Sequence, residues 1–138
     1  MKIADCMTTE VEIVAPDQTI RDAAKLMLSA DAGSMPICDG KRLLGMVTDR
    51  DIAIRAVAEG RGPDTPVTDI MTDNLLYCYD DQDVTEVARQ MSEQQVRRLP
   101  VVDRNKDLVG IVSLGDLSGE AASLALEGVT AGGGSQQS

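Results

Sequence analysis

Apolar residues recur at Ile20, Ala23, Ala24 and Met27, and again at Val84, Val87, Ala88 and Met91. Both sets follow i, i+3, i+4, i+7, the spacing of one face of an α-helix. Thr19 stands three residues before Asp22, and Asp83 three before Glu86. A capping side chain followed by an acid at that distance marks where each helix begins. Behind each helix lie two short apolar runs around a polar turn. The first pair is Met35-Pro36-Ile37-Cys38 and Leu43-Leu44-Gly45-Met46-Val47, turning through Asp39-Gly40-Lys41-Arg42; the second is Leu99-Pro100-Val101-Val102 and Leu108-Val109-Gly110-Ile111-Val112, turning through 103–107. Each pair predicts a β-hairpin. Extended stretches at 11–14 and 75–79 precede the helices, short starts at 3–7 and 67–71 precede those, and a closing helix is expected from near Asp49 and from near Leu114. The order of elements is β-α-β-β-α, twice.

The two halves are one unit duplicated. Asp5-Cys6-Met7-Thr8 returns as Asp69-Ile70-Met71-Thr72, Met27 as Met91 and Pro36 as Pro100, all 64 residues on. After a one-residue insertion in the second turn the offset becomes 65, matching Gly45 with Gly110, Val47 with Val112 and Asp51 with Asp116. The predicted organisation is repeat one over 1–60, a Gly- and Pro-rich linker over 61–66, repeat two over 67–127, and a disordered Gly/Ser/Gln tail over 128–138. A unit of about 60 residues buries only about 60% of its surface and is marginal alone. Two copies covering each other's sheets about a pseudo-twofold axis solve that problem, and the expected class is α/β (α+β).

Composition narrows the chemistry. The chain has 138 residues, 13 Lys+Arg against 23 Asp+Glu, a net charge of −10, two Tyr, and no His, Trp or Phe. The usual neutral-pH base and the commonest zinc ligand are missing. So are stacking platforms for single strands, and the acidic balance opposes phosphate-driven nucleic-acid binding. No apolar run approaches a membrane span of roughly 18 residues, and the first residues do not read as a signal peptide. Cys6, Cys38 and Cys78 are too widely spaced for a zinc set and read as free thiols of a cytoplasmic protein. The expectation is a binding module rather than an enzyme.

One motif is repeated where the second hairpin strand runs into a helix. Copy one reads Gly45-Met46-Val47-Thr48-Asp49-Arg50-Asp51; copy two reads Gly110-Ile111-Val112-Ser113-Leu114-Gly115-Asp116. A hydroxyl with an acid three residues later is a capping box. The same geometry offers N–H groups and a hydroxyl to a phosphate, and a carboxylate one turn on to a ribose. Both readings stay open on the residues alone. Arg50 in copy one and Arg97-Arg98 in copy two are nearby cations without counterparts in the other copy. Tyr77 and Tyr79 fit edge packing, or one could flank an adenine; Asp80, Asp81 and Asp83 lack the spacing of a calcium loop and fit helix capping.

The Met7-Thr8 and Met71-Thr72 starts, the Met35-Pro36-Ile37 and Leu99-Pro100-Val101 strands and the two Gly-to-Asp motifs resemble a tandem pair of CBS domains, a Bateman module. The resemblance covers roughly residues 1–120 and is nearest to stand-alone bacterial two-CBS proteins of the hypoxic-response type. It implies a ligand sensor that binds AMP, ADP, ATP, NAD or S-adenosylmethionine in clefts between the repeats, and a homodimer formed through helices. Phosphate contacts then fall on Thr48, Ser113 and Arg98, with Arg50 a further candidate, and ribose contacts on Asp51 and Asp116. The alternative is a ligand-free dimeric module acting through a protein partner. Relatives of this type raise the question of zinc; with no His, none is expected here.

Overall fold

The computed structural model describes residues 1–73 and 75–117. The expected closing helix of repeat two beyond Leu117 and the 128–138 tail lie outside the described residues. The fold is α+β. The first amphipathic pattern forms α1 (Ile20–Ala30), followed by an antiparallel hairpin of β1 (Ser34–Asp39) and β2 (Arg42–Thr48). A single turn, α2 (Asp49–Asp51), then widens into a π-helical stretch, Ile52–Val57. The second half gives β3 (Cys78–Tyr79), α3 (Val84–Gln94) and a hairpin of β4 (Arg98–Val102) and β5 (Leu108–Ser113). Short 3₁₀ turns stand at Ile3–Asp5, Val67–Asp69 and Leu114–Asp116.

Both long helices start as the sequence requires. Thr19 Oγ1 accepts the Asp22 N–H at 3.2 Å while Asp22 Oδ2 accepts the Thr19 N–H at 3.1 Å. Asp83 Oδ2 accepts the Thr85 N–H at 3.0 Å. Both helices stop on a left-handed residue, Asp31 at φ 52° and Gln95 at φ 57°, which turns the chain into the hairpin. Their buried faces are Ile20, Ala23 and Met27 in α1, and Val87, Ala88 and Met91 in α3. Ala24, expected on the buried face, is exposed, whereas its counterpart Ala88 is fully buried. Leu26 packs against the core in copy one instead. A methyl group is too small to fix the rotation of a helix when a leucine competes with it.

The expected strands before the helices are shorter than the apolar stretches. In copy one only Val14 pairs, in parallel with Ile37, exchanging bonds of 2.9 and 3.0 Å with Pro36 and Cys38. In copy two the pairing extends over Cys78 and Tyr79, parallel to Val101 and Val102. Each hairpin carries a bulge, at Ile37/Cys38 and at Val101/Val102, so the duplication extends to local irregularities.

The compact units do not coincide with the sequence repeats. One unit is the continuous stretch Glu12–Leu75; the other joins Met1–Val11 to the chain from Leu76 onward. Each repeat therefore lends its start to the other repeat's body, and it does so bond for bond. Ile3 N–H donates to Gln82 O, and Val67 N–H to Gln18 O, both at 2.9 Å. Val84 N–H donates to Met1 O, and Ile20 N–H to Thr65 O, again both at 2.9 Å. Thr8 exchanges two 2.9 Å bonds with Ile111, and Thr72 exchanges bonds of 2.8 and 3.0 Å with Met46. The 61–66 stretch thus runs hydrogen-bonded along the start of α1.

Each unit has its own aliphatic core. Val14, Ile20, Ala23, Met27, Met35, Ile37, Val47, Ala56, Val67 and Ile70 fill one. Ile3, Cys78, Val87, Ala88, Met91, Val96, Leu99, Val101, Val112 and Leu117 fill the other. In both, the borrowed start supplies a buried isoleucine, Ile70 or Ile3.

Candidate functional site

In copy one, β2 delivers Thr48 in an extended conformation (φ −115°, ψ 163°), which ends the strand and aims its side chain over the next turn. Thr48 Oγ1 accepts the Asp51 N–H at 3.0 Å, and Asp51 Oδ2 accepts the Thr48 N–H at 2.9 Å. This reciprocal pair leaves the hydroxyl proton of Thr48 available to donate elsewhere. Asp49 N–H donates to Gly33 O at 2.9 Å, fixing the turn against the start of β1, where Ser34 stands opposite Thr48 and is 9% exposed. Arg50 is exposed, its N–H on Asp49 Oδ1 at 2.8 Å.

In copy two, Ser113 ends β5. Its N–H and its hydroxyl both donate to Asp116 Oδ2, at 2.8 and 3.2 Å. The serine hydroxyl is thus turned onto the carboxylate, where the threonine hydroxyl of copy one serves the backbone. Leu114 N–H donates to Arg97 O at 3.0 Å, the counterpart of the Asp49–Gly33 bond. Arg98 occupies the position of Ser34, directly across the ladder from Ser113. The structure therefore brings together Thr48 with Asp51, and Ser113 with Asp116 and Arg98. Gly115 is not sterically demanded: a Cβ there would meet Ser113 Oγ at 3.7 Å, an ordinary contact.

The glycine that opens each motif is demanded. A Cβ on Gly45 would lie 2.8 Å from both Met71 Sδ and Thr72 O; one on Gly110 would lie 2.7 Å from Met7 Sδ and 2.8 Å from Thr8 O. The two repeated signatures, Met-Thr and Gly-to-Asp, are thus the two sides of one junction in each unit. In copy one that junction is fastened to the candidate site. Arg55 Nη1 donates to Ile70 O and Met71 O at 3.1 and 3.3 Å and lies 4.0 Å from Asp51 Oδ1. In copy two, Cys6 lies close enough to Asp116 for the carboxylate, after burial, to push its thiol pKa up. Arg55 was missed from sequence because copy two has Glu120 at the matching place, so the repeat does not flag it.

The tyrosines form a separate surface cluster in copy two. Tyr77 and Tyr79 meet edge-to-face at 5.6 Å between centroids. Arg104 lies 4.0 Å over the Tyr79 ring and clasps Asp81 through bonds of 2.7 and 2.9 Å; Lys106 Nζ donates to Tyr77 Oη at 2.6 Å. The acids expected as helix caps are divided accordingly, Asp83 to the α3 cap and Asp81 to Arg104. Burial pushes the thiol of Cys38 up to about 11 and that of Cys78 up to about 12. Among the described residues no group of His, Cys, Asp and Glu could hold a metal ion, and no helix is long and apolar enough to cross a membrane.

The family model of the CBS domain matches residues 3–57 and 67–123. The CBS domain-containing protein YhcV of Bacillus subtilis is 43% identical over 133 residues, covering 93% of this chain and 94% of its own. Hypoxic response protein 1 of Mycobacterium tuberculosis is 39% identical over 116 residues, covering 83% and 80%. The crystal structure of Hypoxic Response Protein I with two coordinated zinc ions superposes with a TM-score of 0.75 at 37% identity, covering 84% of this chain and 95% of that one. CBSX2 in complex with AMP superposes at 0.73 with 27% identity, covering 91% and 96%. The CBS domain pair of MJ0100, in complex with 5-methylthioadenosine and S-adenosyl-L-methionine, does so at 0.70 with 31% identity, covering 84% and 91%.

Proposed function

The chain belongs to the CBS-domain family, and on that premise we propose that it is a regulatory, non-catalytic module that binds an adenosine-containing ligand: AMP, ADP, ATP, NAD or S-adenosylmethionine. The observation that carries this reading is the hydroxyl–carboxylate turn built twice, at the same place in each unit, with bonds of 2.9 and 2.8 Å from the Thr48 and Ser113 N–H groups to Asp51 and Asp116. CBS structures of similar fold hold AMP or S-adenosylmethionine. In the proposed roles, Thr48, Ser113, Arg50 and Arg98 face phosphate, and Asp51 and Asp116 accept from ribose hydroxyls. Both caps use Oδ2; in the proposed reading the ribose hydroxyls turn to Oδ1, which in Asp51 lies 4.0 Å from Arg55 Nη1. Three free thiols, two of them deeply buried, fit a reducing cytoplasm.

Calorimetric titration of the folded protein with the five ligands tests the proposal. The expected result is saturable heat with at least one of them, removed by Asp51→Ala or Asp116→Ala. No heat with any of them at millimolar concentration refutes it.

A second reading is favoured by one observation. Leu28, Ile54 and Val57 are exposed at 84%, 51% and 66%, an apolar investment that a purely solvated helix does not need. These positions suit a homodimer or a protein partner. Light scattering of Ile54→Lys and Val57→Lys variants tests that contact independently of any nucleotide.

A further inference from the structure

The exchanged start segments carry an inference that does not depend on a small ligand. Residues 1–8 hold to the body of repeat two through backbone bonds at Val84, Gln82, Asp80 and Ile111, between 2.9 and 3.1 Å. Their cationic end meets an acidic rim: Lys2 Nζ donates to Asp81 O at 2.9 Å, and the amino terminus lies 3.4 Å from Asp83 Oδ1. Ile3 is fully buried, and Met7 and Thr8 close over Gly110. Beyond Thr8 the chain reaches Val14 through residues 9–13. Among the described residues these five make no backbone hydrogen bond, and all are exposed except the half-buried Val11.

We propose that the groove over Gly110 is a docking site for an Asp-x-Met-Thr segment that leaves a 3₁₀ turn, and that a second copy of this chain fills it by trading residues 1–8. Two observations choose this occupant. The segment and groove are complementary in charge. And the backbone bonds made by Met1, Ile3 and Thr8 recur at Thr65, Val67 and Thr72 where Asp69-Ile70-Met71-Thr72 lies over Gly45, so this part of the fit is set by the segment's sequence and not by which stretch of chain delivers it. Exchange between copies reproduces every contact outside the hinge, so its cost is confined to association and to the five hinge residues.

Thr8 and Ile111 exchange both N–H···O bonds, a pairing that sets Cα atoms about 5.5 Å apart, within disulfide range. The test mixes full-length Thr8→Cys with full-length Ile111→Cys, each also carrying Cys6→Ser, incubates them over a range of concentrations and then oxidises. The expected product is a covalent heterodimer of twice the 14.7 kDa chain mass, growing with concentration and absent from either variant alone. A Thr8→Cys/Ile111→Cys double variant, kept dilute, should crosslink within one chain. If the double variant closes internally while the mixture stays at one chain mass, the groove admits only its own segment and the proposal is wrong. If the double variant does not close, the pairing itself is refuted. Deleting residues 10–12 should raise the heterodimer yield at least several-fold, because a short hinge disfavours the closed chain; an unchanged yield also counts against it.

Discussion

Gly110→Ala isolates the junction between the two signatures. The glycine has no left-handed backbone to protect, since among the described residues positive φ occurs in glycines only at Gly40 and Gly60. The cost of a methyl group is therefore purely steric. The added Cβ would sit 2.7 Å from Met7 Sδ and 2.8 Å from Thr8 O, where carbon contacts are relaxed only from about 3.5 Å. Met7 can swing its thioether aside. The Thr8 carbonyl cannot, because it accepts the Ile111 N–H at 2.9 Å while the Thr8 N–H donates back at the same distance. Retreat by half an ångström or more weakens two hydrogen bonds worth about 1 kcal/mol each; staying imposes an overpacking strain of about 1–3 kcal/mol. The cheaper route sets the cost, so the expected loss is about 1–3 kcal/mol. Urea unfolding reads it as a lower midpoint at unchanged slope. Gly115→Ala is the control: its Cβ would meet nothing closer than 3.7 Å, so its effect should stay within about 0.5 kcal/mol. Equal midpoints for the two variants would refute the steric argument.

Four further outcomes are expected. Thr48→Ala should cost about 1 kcal/mol through the lost cap, and Ser113→Ala less, because the serine hydroxyl bonds the carboxylate instead of a backbone N–H; paired denaturation curves compare them. Tyrosinate absorbance should rise in two separate steps with pH, Tyr77 ionising first because Lys106 donates to its oxygen and Tyr79 later because its hydroxyl is held by Tyr77; Lys106→Met should bring the steps together. A thiol reagent at mildly alkaline pH should label Cys6 first, and Cys38 and Cys78 only on unfolding, since burial keeps both of these protonated. On the acid side, the caps hold the Asp22 and Asp83 carboxyls below their ordinary values. Their contribution is complete above the unfolded value and is lost as pH falls through the folded one, so Asp22→Asn should flatten the acid limb of a melting-temperature profile.

The periodic segments were legible because α1, α3 and both hairpins bury most of what their spacing marks, Ala24 being the exception. The strand at 11–14 was over-read: an apolar run before a helix does not say how many of its residues find a partner, and only Val14 does. The candidate hydroxyl–carboxylate pairs were legible as local chemistry, since a three-residue spacing closes on itself. The exchange of starts was not. The two segments share a sequence, and nothing in that shared sequence says which of the two grooves each will take. Arg104 and Lys106 escaped notice because a hairpin turn gives no sign of which neighbouring ring its cations will cover.

The interleaving of starts also sets a schedule for synthesis. Chains emerge from the ribosome at about 5–20 residues per second, first residues first. Glu12–Leu75 is continuous and can close as soon as it has emerged, its borrowed start being its own last stretch. Residues 1–8 are made before it, yet their partners Gln82 and Ile111 follow Thr8 by 74 and 103 residues. For some seconds the nascent chain carries Glu12–Leu75 with residues 1–8 still unpaired ahead of it, and the bonds of Thr8 can form only once Ile111 has been made.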